Sequence, residues 1–171
     1  VMGWGFNPLD DLAVVDYGDC FFDSGDPANA PQAIYECARD ILATDTTLLS
    51  LGGDHFVSYP LLRAHAEKYG ELALIHFDAH SDTWAEECER IDHGTMFYHA
   101  AQQGLVSPAH SAQIGLRTHN DQDHGFHIFD APAVHGGYDG KYIYCRNTVC
   151  LVYDYSCCAT GIGICLHNIE E

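Results

Sequence analysis

The chain has 171 residues, 47% of them hydrophobic, and 25 acidic against seven basic side chains give a formal net charge of −18. These values favour one globular domain over a disordered chain. The charge opposes binding to nucleic acids or anionic membranes, and no apolar stretch approaches the about 18 residues that a membrane span needs. The first residues also lack a secretory leader, so we expect a cytoplasmic protein with no membrane partner.

The first half of the chain predicts alternating strands and helices. The predicted strands are 12–15, 48–51 and 72–77, and the predicted helices are 30–43 and 58–70. Apolar residues recur at helical spacing in both helices, and Ser58 and Gly70 are typical cap residues. Strands joined through helices indicate a parallel sheet that is covered on both faces and binds ligands at the carboxyl ends of its strands.

The second half begins in the same way and then changes character. We predict a helix over 94–103, a strand over 112–116 and a polar loop over 117–124. After Ala133 a glycine-rich loop leads into the last five cysteines, so we divide the chain into a core segment, 1–133, and a divergent tail, 134–171, of the same domain. We expect a strand over 149–153 to lack neighbours, and we expect reduced thiols rather than disulfides or a zinc site.

Two predicted strands end in side chains that can bind a metal. Asp78 and His80 can point the same way because strand side chains alternate. Asp82 can turn in from the next loop, and His55 follows the other predicted strand. Carboxylates with a minority of imidazoles favour Mn²⁺ or Mg²⁺ over structural zinc. Paired divalent ions generate a nucleophile from water at neutral pH, which indicates hydrolase chemistry. Ordinary loop residues are the alternative, and we expect His76 to be a hydrogen-bonded core histidine rather than a ligand.

Two segments resemble motifs of the ureohydrolases, the family of arginases and agmatinases. They are Gly52-Gly53-Asp54-His55 and Asp78-Ala79-His80-Ser81-Asp82. Further segments resemble bacterial agmatinases in particular, namely 60–66, 92–98 and 113–118. The resemblance covers about residues 1–131. It implies a three-layer α-β-α fold with a mainly parallel, arginase-like sheet, incomplete at both ends, and assembly into a homo-oligomer.

The resemblance also implies a function and a site. The reaction would be manganese-dependent hydrolysis of a small cationic guanidino substrate, agmatine above all, to putrescine and urea, a step of polyamine biosynthesis. Mn²⁺, binuclear in the family, would be bound by His55, Asp78, His80 and Asp82, and His93 would be the catalytic histidine near the leaving amine. Guanidinobutyrate stays open as a substrate. A deacetylase-like enzyme would explain the ligands but not the match over 92–98.

The tail departs from the family pattern. Asp154 resembles the first acid of a second Asp-x-Asp pair, which would make it a further metal ligand, but Ser156 stands where the second acid is expected. A hydroxyl lacks the charge of a bridging carboxylate, so we expect a weaker second metal and weak activity of this chain. The chain is then a partial sequence, a frame-disrupted copy or a shortened protein. The alternative function is that of a truncated, non-catalytic metal-binding relative.

Overall fold

The structure is a computed structural model that describes residue 5 and residues 7–10, 12–85, 90–135, 148–153 and 162–167. Its α-helices are α1 Ala30–Leu42, α2 Ser58–Tyr69, α3 Met96–Gln102 and α4 Ala131–His135. Its strands are β1 Ala73–Phe77, β2 Ala112–Leu116, β3 His127–Asp130, β4 Thr148–Tyr153 and β5 Ile162–His167. Short 3₁₀ helices occur at Pro8–Asp10, Pro27–Asn29, His55–Val57 and Pro108–His110.

The five strands form one sheet in the order β3-β2-β1-β4-β5. The pairs β1–β2, β1–β4 and β2–β3 are parallel, and among the strands in the described residues only β5 runs antiparallel to its neighbour β4. β1 is therefore the central strand, and in its pairing with β2 His76 lies opposite Gln113. The predicted α/β fold with a mainly parallel sheet is confirmed, and it brings the carboxyl ends of four strands to one edge.

Several predicted elements are confirmed to within a few residues. α1, α2, β1, α3 and β2 all occur where the apolar spacing placed them. Gly70 ends α2 with φ +80° and ψ −161°, a backbone conformation that is essentially restricted to glycine. The predicted capping role of Ser58 is wrong: Val57 is the N-cap, and Ser58 is the first residue of α2, with its side chain buried.

Two predicted strands, 12–15 and 48–51, are wrong. Neither segment is a strand of the sheet, and in the second only Ser50 forms an isolated bridge. A strand is held by hydrogen bonds to a neighbouring strand, and an apolar run alone does not supply that neighbour. Val15 and Leu51 are each 80% exposed, and of the second run Leu48 packs, partly buried, against the core.

The sheet extends beyond the predicted core segment. β4 pairs with β1 on one side and with β5 on the other, so the expectation that a strand over 149–153 would lack neighbours is wrong. β3 and β5 were not predicted, and α4 runs across residue 133. The division of the chain at Ala133 stays a prediction. The glycine-rich loop over 136–140 lies outside the described residues.

The hydrophobic core lies between the helices and β1. α1 packs on α2, and the fully buried side chains include Leu42, Leu62, Leu74 and Phe97. Burying a side chain of this size stabilises a fold by about 1.5–3 kcal/mol, an upper estimate because unfolded chains are partly compact. This core fixes the position of β1. None of the helices in the described part of the chain is long and apolar enough to cross a membrane.

Candidate metal centre

The loop that follows β1 is fixed at the carboxyl end of the sheet by backbone hydrogen bonds. The Asp78 N–H donates to the Ile114 carbonyl at 3.1 Å, which extends the contact with β2 beyond β1 itself. The next carbonyl, of Ala79, accepts from the N–H groups of Arg117 and Thr118 at 2.9 and 3.1 Å. The Thr118 hydroxyl donates to the same carbonyl at 3.0 Å. The loop therefore has little freedom to move away from the strand ends.

Asp82 adopts a left-handed backbone conformation, with φ +51°. Such a conformation is uncommon for a residue with a side chain and persists where the surroundings impose it. Here the Asp82 carbonyl accepts from the Phe97 N–H at 3.0 Å, and the Asn120 amide donates to the hydroxyls of Ser81 and Thr83 at 3.1 Å each. The Asp82 side chain is buried as a result.

His55 reaches the same place from a 3₁₀ helix, whereas the sequence predicted that it follows a strand end. Asp54 caps this helix by accepting the Phe56 N–H at 2.8 Å. A β-carbon on Gly52 would lie 2.8 Å from Val57 Cγ2, which explains why glycine stands before the cap. His55 is buried, and its Nδ1 lies 2.6 Å from Asp82 Oδ2 and 3.5 Å from Asp78 Oδ2.

These side chains form one buried cluster of two carboxylates and two imidazoles. One ligand atom from each of His55, His76, Asp78 and Asp82 lies within 4.8 Å of all the others. The structure thus brings together three of the predicted ligands and adds His76. A donor set with two carboxylates and imidazole fits Mn²⁺ or Mg²⁺ in its chemistry.

His80 lies at the rim of the cluster. Its backbone N–H donates to Asp78 Oδ1 at 2.8 Å, and its Nδ1 lies 3.3 Å from the same oxygen. Its side chain is 40% exposed, whereas that of Asp78 is 2% exposed. Its role as a ligand stays a prediction. Asp154, Ser156 and the acidic residues Glu86, Glu87 and Glu89 lie outside the described residues.

The groups around Asp78 stabilise its charged form. Burial alone would raise the pKa of Asp78, but hydrogen bonding and charge from His76, the His80 N–H and the charge of His55 together hold it below its usual value. Burial lowers the pKa of His76, and the nearby carboxylates offset only part of that effect. At neutral pH Asp78 is therefore a carboxylate, and burial favours the uncharged form of His76.

Phe97 packs against both imidazoles of the cluster. Its ring meets His76 edge-on at 4.7 Å between centroids and His55 at 5.5 Å, and it is fully buried. The two imidazoles are 5.2 Å apart. Neither Phe97 nor Gln113, which contacts His76 from β2, was predicted to belong to the site. Two sequence signals marked Gln113: it is a polar residue within an apolar strand, and it opens the agmatinase-like segment 113–118.

His93 lies outside the buried cluster. Its side chain is 68% exposed, and its Nδ1 is 3.9 Å from Asp54 Oδ2. The neighbouring Gly94 carbonyl accepts from the Trp84 N–H at 3.0 Å, which ties the His93 loop to the end of the loop that carries Asp82. His93 is thus held near the cluster and open to solvent. Its catalytic role stays a prediction.

A sequence model of the arginase family matches residues 2–139. The chain belongs to the arginase family. It is 52% identical over 149 residues to the agmatinase of Chromobacterium violaceum, a match that covers 85% of this chain and 46% of that protein. The chain thus spans less than half the length of this curated relative.

Solved structures agree with this assignment. The crystal structure of a hypothetical agmatinase from Burkholderia thailandensis is 55% identical, with a TM-score of 0.75, over 80% of this chain and 43% of that one. Proclavaminate amidino hydrolase from Streptomyces clavuligerus is 31% identical, with a TM-score of 0.66, over 80% of this chain and 48% of that one. The ureohydrolase resemblance and the arginase-like fold are therefore confirmed.

Proposed function

We propose that this arginase-family chain belongs to a manganese-dependent hydrolase that converts agmatine to putrescine and urea. The observation that carries the proposal is the convergence of His55, Asp78 and Asp82 at the carboxyl end of β1, with His80 beside them. The relatives that are about 50% identical to this chain in sequence are named agmatinases, which supports agmatine as the substrate. A small cationic substrate also suits a chain with a net charge of −18.

The metal would be held by His55, Asp78, His80 and Asp82. His55 and both carboxylates are buried and already lie within 4.8 Å of one another, so little ordering is required on binding. The 2.6 Å contact of His55 Nδ1 with Asp82 places a nitrogen and an oxygen donor side by side. Asp154 would contribute to a second ion. When bound, Mn²⁺ would lower the pKa of water so that it can attack a guanidinium carbon.

His93 would deliver the proton that the departing amine needs. Its exposure leaves it accessible to a substrate, and an imidazole exchanges protons near neutral pH. Asp54 Oδ2 faces His93 Nδ1, and Asp54 directly precedes His55 in the chain. The separation of 3.9 Å is too long for a hydrogen bond, so Asp54 places a negative charge beside the imidazole without fixing its orientation. The buried cluster and the exposed histidine then have separate tasks: binding the metal and moving a proton.

Metal analysis and a urea assay test this proposal together. We expect the chain to retain manganese after dialysis, and Asp78→Ala and His80→Ala to lower the manganese content. His93→Ala should keep the manganese but lower the rate of urea release from agmatine by about 10²–10⁴-fold, the usual contribution of a general acid. Arginine and guanidinobutyrate should be poorer substrates than agmatine.

The control variant is His127→Ala. His127 is exposed and contacts the Ala109 carbonyl at the start of β3, the end of that strand opposite to the site. It should leave metal content and urea release unchanged. Unaltered manganese in both Asp78→Ala and His80→Ala would refute the ligand assignment. Weak urea release is expected of this chain because Ser156 replaces an acid, whereas manganese binding with no detectable urea release would refute the hydrolase and favour a non-catalytic metal-binding protein.

A further inference from the structure

His76 and Gln113 form a buried contact next to the candidate metal ligands. They lie opposite each other on β1 and β2, and both are fully buried. Gln113 Nε2 donates to the Ser81 carbonyl at 2.6 Å and lies 3.3 Å from His76 Nδ1. On its other side, His76 Nε2 lies 3.4 Å from Asp78 Oδ2, at the outer limit of a hydrogen bond, and it has no well-formed hydrogen bond to any described group. The chain of contacts therefore runs from the ligand loop through Gln113 and His76 back to Asp78.

The Ser81 carbonyl fixes the orientation of the Gln113 amide. A carbonyl oxygen only accepts hydrogen bonds, so the atom of Gln113 that lies 2.6 Å from it must be the NH₂ group. The same NH₂ group faces His76 Nδ1, and an amide nitrogen cannot accept a hydrogen bond. His76 Nδ1 is therefore the acceptor, and the proton of the neutral imidazole is on Nε2.

A protonated Nε2 excludes one role for His76 and indicates another. A ring nitrogen that carries a proton has no lone pair for a metal, although His76 lies in the cluster of candidate ligands. It can instead donate to the carboxylate that it faces. We propose that His76 is a positioning residue: its Nε2–H orients Asp78 toward the metal, and Gln113 holds the ring in that tautomer. This inference rests on the proposed metal site for its effect on metal binding.

Metal affinity separates a positioning residue from a ligand. His76→Phe keeps a ring against Phe97 but loses the donor, and we expect the dissociation constant for Mn²⁺ to rise about 10–100-fold with unchanged stoichiometry. His76→Gln supplies an N–H at similar reach and should restore affinity to within a few-fold. Titration calorimetry with MnCl₂ measures both. If His76→Gln binds as weakly as His76→Phe, or if either variant loses an equivalent of metal, the positioning role is refuted.

The matched control is His65→Phe, because His65 is also fully buried but lies on α2 and contacts the Leu61 carbonyl. Its affinity for Mn²⁺ should equal that of the unsubstituted chain.

The tautomer is measured directly by long-range ¹H–¹⁵N NMR of the metal-free, unsubstituted chain, which does not depend on a variant that folds. A proton on His76 Nε2 supports the inference, and a proton on Nδ1 overturns it. If the unsubstituted chain binds no Mn²⁺, the proposed function fails, and the NMR result still decides the tautomer.

Discussion

Replacing Phe97 by alanine should weaken both the fold and the metal centre. The ring is fully buried and contacts the imidazoles of His55 and His76 edge-on. Removing a buried phenylalanine side chain costs about 3–5 kcal/mol, because both the transfer energy and the packing around the new cavity are lost. The two edge contacts, each worth about 0.5–1.5 kcal/mol, place the expected loss toward the upper part of that range.

The loss of stability should appear in thermal unfolding. For a chain of this size, about 4 kcal/mol corresponds to a fall in Tm of roughly 8–16 °C. Urea unfolding followed by circular dichroism gives the free energy directly. If the free energy of unfolding falls by less than about 1 kcal/mol, the burial of Phe97 does not stabilise the packing of α3 against the site, and the reasoning is refuted.

The metal centre should lose affinity as well, because the two imidazoles would no longer be packed against a ring. Leu42→Ala is the control: Leu42 is almost completely buried, but it lies on α1, which packs against α2. It should lower stability by about 2–5 kcal/mol and leave the dissociation constant for Mn²⁺ unchanged. Equal affinities in Phe97→Ala and Leu42→Ala would refute the role of the ring at the site.

Three further outcomes are expected. Burial lowers the pKa of His65 below 6.5, so on acidification the unfolded chain binds this proton before the folded chain does. The free energy of unfolding should therefore fall as the pH drops below about 6.5. Urea titrations at several pH values should show a shallower fall in His65→Gln. Burial, with a contribution from Cys37, raises the pKa of Cys20 to about 11. At pH 8 iodoacetamide should therefore label Cys20 roughly a hundredfold more slowly than an exposed thiol, a rate that peptide mass spectrometry measures. Gly70→Ala should cost about 1–3 kcal/mol in urea unfolding because φ is +80°, and a neutral result would contradict the strain.

Local sequence signals predicted the elements whose apolar spacing is regular. α1 and β2 are bounded by turn residues and carry apolar side chains at the spacing of their type, so pattern and structure coincide. The segments 12–15 and 48–51 show the limit of this reasoning: their apolar runs predict strands, but pairing depends on distant parts of the chain. β5 was missed for the same reason, since only its pairing with β4 makes it a strand.

The site was predicted from motifs, and its internal arrangement was not. Two predicted strand ends were expected to bring His55, Asp78 and Asp82 together, and these residues do meet, although His55 lies in a 3₁₀ helix. The position of His80 at the rim depends on a loop whose backbone turns back onto Asp78, which strand alternation does not predict. The contact of Gln113 with His76 depends on the register of two strands, which no local pattern encodes.

The central claim is that Mn²⁺ binds at the carboxyl end of β1. Crystals of the chain soaked in MnCl₂ and measured at the manganese absorption edge test it most directly. We expect an anomalous peak within bonding distance of His55, Asp78, His80 and Asp82, with His76 Nε2 turned toward Asp78 and not bound to the ion. A peak elsewhere, or one with His76 as a ligand in place of His80, would contradict the claim.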